Sequence, residues 1–196
     1  MEVLLEVSGL KFHIGKRKIL DDLNITLLRN SCVGIYGENG AGKSSFFQLL
    51  LNSANKTWAK WKVPNPKISF LGHSLGLYLG LSVGENLEFF QTVSRGTSIH
   101  QETIQLLGLQ KKWDDPVFSL SRGWQQRVAI ARALMSPSDL LILDEPFTGL
   151  DESAIQNLLP IFSNLKTKKT LLVSSHTHEA KSIYDQIRIL KNGKFQ

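Results

Sequence analysis

The stretch "CVGIYGENGAGKSS" (residues 32–45) restricts the fold of this chain more than any other part of its sequence. Cys32 to Tyr36 form a continuous apolar run, which is typical of a strand buried on both faces. Gly37 to Ser44 match the pattern G-x-x-x-x-G-K-[ST], and the apolar residues that follow predict a helix. Glycines let successive backbone N–H groups face one anion, and the helix N-terminus adds partial positive charge. A ligand-free glycine-rich turn is the alternative, but the flanking strand and helix favour a nucleotide site.

The residue types in this loop predict its chemistry. Lys43 has the reach to contact the β- and γ-phosphates, and the Ser44 hydroxyl suits Mg²⁺. The predicted nucleotide-binding residues of the loop are Gly37, Asn39, Gly40, Ala41, Gly42, Lys43, Ser44 and Ser45.

A second apolar run, "LLILDEP", ends in two acidic residues. An acidic residue at the end of a buried strand places Asp144 beside Mg²⁺, as phosphoryl transfer requires. The adjacent Glu145 is then the candidate general base for an attacking water. A solvated pair at a strand end is the alternative. Beside the phosphate loop, we favour the catalytic interpretation.

Strands and helices alternate along most of the chain, which favours an α/β fold with a parallel sheet. A helix-only stretch at about 75–136 interrupts this alternation, and Ser82 and Glu85 have the spacing of a capping box. We therefore expect one domain, with a core of about 1–74 and 137–196 and an inserted helical subdomain of about 75–136. Residues 3–7 and 19–28 predict short antiparallel strands.

Three segments are less regular in pattern. Residues 52–66 are polar and are interpreted as a loop, in which Trp58 and Trp61 are expected to pack rather than to bind a ligand. Residues 152–166 predict a helix that Pro160 bends or breaks. A further helix is predicted from about residue 178.

Composition limits the class of protein. The chain has 196 residues, of which 42% are hydrophobic and 20% charged, as expected for a soluble globular protein. Its only cysteine, Cys32, cannot form an internal disulfide. No run approaches the ~20 apolar residues of a membrane span, and the N-terminus lacks the pattern of a signal peptide. The net charge of +6 suits anionic partners: nucleic acid, nucleotides or lipid headgroups.

Three other segments gain meaning beside these two motifs. "LSRGWQQR" (residues 120–127) is either an ordinary helix start or a phosphate-binding element. Asp151 follows the acidic pair closely, and its alternative role is a helix N-cap. His176 follows the apolar run "TLLVSS" and is therefore expected at the carboxyl edge of the sheet. His176 and His178 lack a Cys or His cluster, so a metal site there is not favoured.

Together, these motifs have the order and approximate spacing of the ATP-binding-cassette (ABC) ATPases, and the resemblance covers nearly the whole chain. It implies a P-loop NTPase fold with a RecA-like core sheet, a short antiparallel subdomain and an inserted helical subdomain. ATP and Mg²⁺ are the implied cofactors. Lys43, Glu145 and His176 are the implied catalytic residues, with His176 at the γ-phosphate. The implied partner is a second copy in a head-to-tail dimer, in which Ser121, Gly123 and Asp151 meet the opposite subunit.

The chain departs from this family at three places. His73 stands where a glutamine is expected, and it is retained as a binding residue because it still offers one hydrogen bond. Arg122 replaces the first glycine of the signature motif and adds positive charge beside the triphosphate, and Trp124 adds bulk. Phe12 is predicted to stack on adenine, in preference to Ile14.

A narrower resemblance comes from "FLGHSLGLYLGLSVGENLEFF", which looks like the ATP-binding subunit of the haem exporter of cytochrome c maturation. It implies a peripheral protein on the cytoplasmic face of the membrane, which drives an integral membrane permease docked near residues 73–88. No nucleic-acid partner is expected. The alternative is a soluble ABC ATPase that acts on nucleic acid or ribosomes. Such proteins usually carry a coiled-coil insertion or a second cassette.

Overall fold

The computed structural model describes residues 2–94, 101–175 and 180–196. Its main sheet has six strands in the order β5-β6-β7-β3-β8-β9, and β9 is the antiparallel member. The strands are β3 (Cys32–Tyr36), β5 (Ile68–Leu71), β6 (Leu140–Asp144), β7 (Thr170–Ser175), β8 (Gln186–Lys191) and β9 (Lys194–Phe195). The predicted parallel α/β sheet is confirmed.

The central strands are buried along their whole length. Every residue of β3, β6 and β7 is buried, because apolar layers cover both faces of the sheet. The parallel register pairs Tyr36 with Ser175 and Asp144 with Ser174. The carboxyl ends of the three strands therefore meet at one edge, and the loops that leave them are neighbours.

A separate antiparallel sheet has the order β2-β1-β4. Its strands are β1 (Val3–Ile14), β2 (Arg17–Leu28) and β4 (Ala59–Trp61). Strand β4 corrects the prediction of a loop at 52–66, because Ala59 and Trp61 pair with the edge of β1 and complete its hydrogen bonds. Trp58 and Trp61 pack against the apolar cluster beneath this sheet, and the Trp61 Nε1–H donates to Ser53 Oγ at 3.0 Å. Their predicted packing role is confirmed.

Five α-helices lie among the described residues: α1 (Lys43–Leu51), α2 (Val83–Ser94), α3 (Gln101–Leu106), α4 (Arg122–Met135) and α5 (Glu152–Leu165). Helices α2, α3 and α4 lie between β5 and β6 in the chain, and this segment is called the helical insertion below. The capping box at the start of α2 is confirmed, since Ser82 N–H donates to Glu85 Oε2 at 2.7 Å and Glu85 N–H donates to Ser82 Oγ at 3.2 Å. Residues 95–100 of the predicted helix-only stretch lie outside the described residues.

Two other helix predictions need correction. Helix α5 is not broken at Pro160, because burial of Ile155, Leu158 and Phe162 on one face outweighs the lost backbone hydrogen bond, while the alternative of a bend stays a prediction. The helix predicted from about residue 178 is not found in its described part. After the undescribed residues 176–179, the chain forms one 3₁₀ turn at Lys181–Ile183 and enters β8. Within the described ranges no helix is long and apolar enough to cross a membrane.

Candidate nucleotide site

The glycine-rich loop between β3 and α1 forms a backbone cradle. Gly42 has φ 107°, a left-handed value that side chains resist, and a Cβ there would lie 2.9 Å from Leu20 Cδ2. Only glycine therefore fits at this position, where the loop turns into the helix. Helix α1 begins without a side-chain cap and without an acidic residue in its first turn. Its first N–H groups are thus left for an anion.

Lys43 points its ammonium into the same loop. Its Nζ donates to the Gly37 carbonyl at 2.7 Å and to the Glu38 carbonyl at 3.3 Å, and the residue is only 5% exposed. Glu145 Oε1 lies 3.7 Å from Nζ. A buried cation beside unpaired helix N–H groups complements the negative charge of a nucleoside triphosphate. This loop therefore fits the phosphates of ATP.

The acidic pair at the end of β6 takes two different positions. Asp144 is buried and accepts a hydrogen bond from Ser174 Oγ at 2.6 Å, while Ser174 Oγ accepts from the Glu145 N–H at 2.8 Å. Ser174 therefore fixes both backbone and carboxylate at this strand end. Glu145 has φ 53°, an uncommon left-handed value for a non-glycine residue. Such backbone strain is concentrated at functional sites.

One cavity of about 490 Å³ gathers most of the predicted binding residues. Its lining comprises Arg17, Ile19, Asn39, Gly40, Gly42, Lys43, Ser44, Ser45, His73 and Glu145. His73 thus lies at the nucleotide cavity, as its expected position implies, although its side chain is exposed. Asp144 is buried and is not part of this lining.

A second cavity of about 840 Å³ adjoins the first and contains Gly37 and Ala41. Both cavities are lined by Arg17 and Ile19, at the start of β2. Sequence reasoning missed these two residues. The hairpin register was the available signal, because Arg17 pairs with Ile14 across the tip of the β1–β2 hairpin.

Phe12 does not line either cavity. It pairs with Leu20 in the hairpin and packs, half-buried, against the apolar cluster under the antiparallel sheet. Adenine stacking by Phe12 therefore stays a prediction, with the ring half-buried against the apolar cluster. Ile14 is 60% exposed and also lies outside both linings.

The signature segment begins α4 and is separate from these cavities. Ser121 is the exposed N-cap residue of α4, without a side-chain capping bond. A Cβ on Gly123 would lie 2.6 Å from the Gly149 carbonyl oxygen, so this position also requires glycine. Gln126, buried in the next turn, donates to the Pro146 carbonyl at 2.9 Å. Helix α4 is thereby attached to the loop that follows the acidic pair.

Asp151 acts as the N-cap of α5. Its Oδ1 accepts from Ala154 N–H at 2.8 Å and from Ser153 Oγ at 2.8 Å, while Oδ2 pairs with Arg127 at 2.9 Å. The Ala154 N–H, followed by the Ser153 hydroxyl and the Arg127 charge, lowers the pKa of Asp151 below 3.8. Asp151 does not line either nucleotide cavity.

The predictions on His176 and His178 are both untested, because the two residues lie outside the described part of the chain. The contact of His176 with the γ-phosphate therefore stays a prediction. Among the residues that are described, no group of three His, Cys, Asp or Glu side chains is arranged for a protein-only metal site. Ser44 lines the cavity and Asp144 ends β6, and both side chains carry hard oxygen atoms. Their chemistry fits a Mg²⁺ ion that takes its remaining ligands from phosphate and water.

Comparison with known proteins agrees with this geometry. Residues 20–148 match the family model described as "ABC transporter". An uncharacterized ABC transporter ATP-binding protein of Haemophilus influenzae is 30% identical, over 96% of this chain and 82% of that protein. The cytochrome c biogenesis ATP-binding export protein CcmA of Rickettsia felis is 34% identical, over 88% and 93%. A solved structure titled "Structure of ATP binding subunit of ABC transporter" aligns with a TM-score of 0.81, at 25% identity over 98% of this chain and 88% of that one.

Proposed function

The chain belongs to the ABC transporter family as an ATP-binding ATPase, and from this premise we propose that it powers export for cytochrome c biogenesis. The proposal has four parts. ATP is hydrolysed at the cavity around Lys43, two copies pair head to tail, a membrane protein docks on the helical insertion, and haem is the cargo.

The observation that carries the proposal is the convergence of Lys43, Ser44 and Glu145 on one cavity at the carboxyl edge of the sheet. ATP with Mg²⁺ supplies the phosphoanhydride bond that is cleaved. The Lys43 ammonium and the loop N–H groups stabilise negative charge on the phosphates. Ser44 and Asp144 are the proposed Mg²⁺ ligands.

Proton transfer is assigned to Glu145. Its carboxylate is 14% exposed and faces the Lys43 ammonium, so it borders the cavity without being sealed from it. It is therefore placed to accept a proton from an attacking water. His176 is proposed at the γ-phosphate and His73 at the edge of the site.

The proposed dimerisation is supported by the positions of the signature residues. Ser121, Gly123 and Asp151 do not line the cavities of their own protomer. Exposed Ser121 at the start of α4 leaves helix N–H groups available to a phosphate. We infer that a second copy in head-to-tail orientation brings its nucleotide to this helix start, which gives two ATP sites per dimer.

The membrane partner is assigned to an apolar patch on the helical insertion, hereafter the aromatic patch: Tyr78, Leu79, Phe89, Val93 and Phe118. These side chains are 38–67% exposed, and the Tyr78 and Phe89 rings contact with centroids 4.7 Å apart. Exposed apolar groups that cluster in this way are typical of protein interfaces. The patch follows His73 in the chain, so a partner bound there lies next to the loop at the nucleotide cavity. This arrangement supports a permease on the cytoplasmic face of the membrane.

The cargo is the most specific part of the proposal. It is supported by the similarity to CcmA and by the loop-and-helix segment at residues 70–90, which looks like the haem exporter of cytochrome c maturation. We assign haem on these two grounds.

ATP chemistry and pairing are tested together with two site variants. Glu145→Gln removes the proton acceptor but keeps the shape of the site, so kcat falls about 10³-fold while the ATP-bound dimer accumulates. Lys43→Ala removes the buried cation, so ATP affinity is lost and no dimer forms. Isothermal titration, ATPase assays and light scattering give the three readouts. A Glu145→Gln protein that stays monomeric at saturating ATP contradicts the pairing, and wild-type protein without ATPase activity contradicts the whole proposal.

The membrane partner is tested by photocrosslinking from position 79 in intact cells. We expect a crosslink to an integral membrane protein, which Phe118→Asp abolishes. A crosslinker at Ile187, an equally apolar position that is 41% exposed on β8, is the matched control. Equal crosslinks from both positions overturn the assignment of the patch.

The cargo is tested in a host whose only copy carries Lys43→Ala. Haem export for cytochrome maturation predicts that covalently bound haem in c-type cytochromes is lost. Normal cytochromes in this host exclude that cargo. ATPase stimulation by RNA or DNA, with a steep loss in added salt, would instead support the soluble alternative.

A further inference from the structure

Arg122 forms a contact that its place in the signature motif does not require. It is the first residue of α4, where the resembled family usually carries a glycine. Its Nη2–H donates to the backbone carbonyl of His73 at 2.9 Å. This bond joins the signature segment to a residue of the nucleotide cavity within one protomer, across 49 positions of sequence.

The other contacts at the start of α4 lead to a different loop. Gln126 is bonded to Pro146, and Gly123 lies against the Gly149 carbonyl. Both contacts fix α4 to the segment that follows Glu145. Arg122 adds the attachment to the segment that contains His73, so the helix start is held between two sides of the nucleotide cavity.

Arg122 has the length and geometry for this contact. Its stem passes Gly149, where an added Cβ would lie 3.8 Å from Arg122 Cγ. The guanidinium carries five N–H donors in a rigid plane. Within the described ranges no carboxylate forms an ion pair with it. A neutral carbonyl is therefore its partner, and the charge is not neutralised by an acidic side chain there.

We propose that Arg122 is a positioning residue that couples each nucleotide cavity to the signature segment of the same protomer. Its hydrogen bond holds the His73 segment against the start of α4. A shift of His73 when ATP fills the cavity then moves Ser121 and Gly123, the groups offered to the second copy. The inference rests on the proposed ATP-driven pairing and adds an intramolecular route to it.

The inference differs from a direct contact between Arg122 and the phosphate of the opposite copy. A direct contact acts only in the dimer, whereas the bond to His73 exists in the nucleotide-free monomer. Hydrogen exchange on the monomer therefore separates the two. In Arg122→Met, which retains an apolar stem but no donor, backbone amides at 72–76 exchange faster by about fivefold or more. Arg122→Lys keeps the charge but lacks the planar fork, so it restores protection only in part.

Activity supplies the second readout. In Arg122→Met, ATP affinity of the monomer stays within about twofold of wild type because Lys43 and Ser44 are untouched. The ATP concentration needed for dimer formation rises, and kcat falls by about threefold to tenfold because the signature segments are less well placed. Lys111→Met is the matched control, since it also replaces an exposed cation of the helical insertion with methionine, at a position outside the aromatic patch and the nucleotide cavities.

The outcomes distinguish this inference from the function on which it depends. Faster exchange at 72–76 together with weaker pairing supports the coupling role. Unchanged exchange in the monomer overturns it, even where kcat falls, because a direct phosphate contact then accounts for the loss. Unchanged kcat and pairing overturn it as well. Wild-type protein that does not pair with ATP overturns the proposed function itself, whatever the Arg122 variants do.

Discussion

Asp185 shows how one carboxylate joins segments distant in sequence. Its Oδ2 accepts from the Cys32 N–H at 2.8 Å, where β3 begins, and its Oδ1 accepts from Lys166 Nζ at 2.7 Å, just after α5. Partial burial acts to raise the pKa of Asp185, but the Lys166 ammonium and the Cys32 N–H outweigh it and lower the pKa below 3.8. The native state therefore favours the charged form.

Asp185→Asn keeps an acceptor for Cys32 but loses the ion pair. We expect the free energy of unfolding at pH 7 to fall by about 1 kcal/mol, since Asp185 is partly exposed and water screens the pair. For a carboxyl whose pKa is lowered by folding, this stabilisation is present above pH 3.8 and is lost as pH falls through the lower native-state pKa. Urea unfolding curves of wild type and variant should therefore converge in acid.

The control for this experiment is Asp114→Asn, at an exposed aspartate. The free energy of unfolding of this control should equal that of wild type both at pH 7 and in acid. A constant difference between wild type and Asp185→Asn down to pH 2 would contradict the role of the ion pair.

At the scale of the element, the start of α4 depends on a close backbone approach. Gly123→Ala places a Cβ 2.6 Å from the Gly149 carbonyl, so the helix start or the loop has to move. We expect a loss of about 1–3 kcal/mol of stability, as for an overpacked site, and a loss of ATP-driven pairing because Ser121 is displaced. Thermal unfolding and light scattering measure the two effects.

Gly80→Ala is the matched control for this change, because a Cβ at Gly80 meets no atom within 4 Å. Both substitutions add one methyl group to the helical insertion. Equal stability and equal ATP-driven pairing of the two variants would show that the contact with Gly149 determines neither property.

Elements whose signals are local in sequence were predictable. The strand–loop–helix around Lys43 and the capping box at Ser82 each depend on neighbouring residues. Strand β4 was missed because its three residues pair with a strand more than fifty positions away. The described part of the helix predicted from about residue 178 is a 3₁₀ turn that leads into β8.

The residues of the candidate site also differ in whether a local sequence pattern predicts them. Lys43, Ser44 and Glu145 were found because a motif lies on each side of the cavity. Arg17 and Ile19 were missed because their place depends on the β1–β2 hairpin folding over the glycine-rich loop. The bond from Arg122 to His73 depends on how the helical insertion packs on the sheet, which no local pattern encodes.

At the scale of the whole molecule, two apolar clusters cover opposite faces of the main sheet. In β6, Leu141 and Leu143 belong to one cluster, while Leu140 and Ile142 belong to the other. Alternate residues of a strand face opposite ways, so both layers must separate before the central strands meet water. Cys32 at the start of β3 is 0% exposed, and burial, followed by the charge of Asp185, raises the pKa of its thiol to about 12.

Cys32 is therefore a built-in reporter of global opening. We expect labelling of this single thiol to require unfolding of β3, and its rate to follow the population of the open state. A nucleotide that binds only the native state lowers that population, so ATP at 100 times its Kd should slow labelling about 100-fold. Mass spectrometry of the modified protein gives the rate.

Lys43→Ala is the control for this effect of ATP, because its labelling rate should not respond to nucleotide. Labelling of native wild type at the rate of a free thiol would contradict the burial of Cys32. A nucleotide effect that persists without Lys43 would indicate binding elsewhere on the molecule.

The left-handed backbone at Glu145 lowers stability, whereas the proposed turnover needs the glutamate side chain. Glycine adopts φ 53° without cost, and asparagine tolerates it better than glutamate. A library of this protein selected for heat resistance alone should therefore accumulate Gly or Asn at position 145, whereas selection on transport should retain Glu. A substitution at this residue that increases thermostability therefore removes the proposed catalysis. Thermostability has to be increased at other positions of the chain.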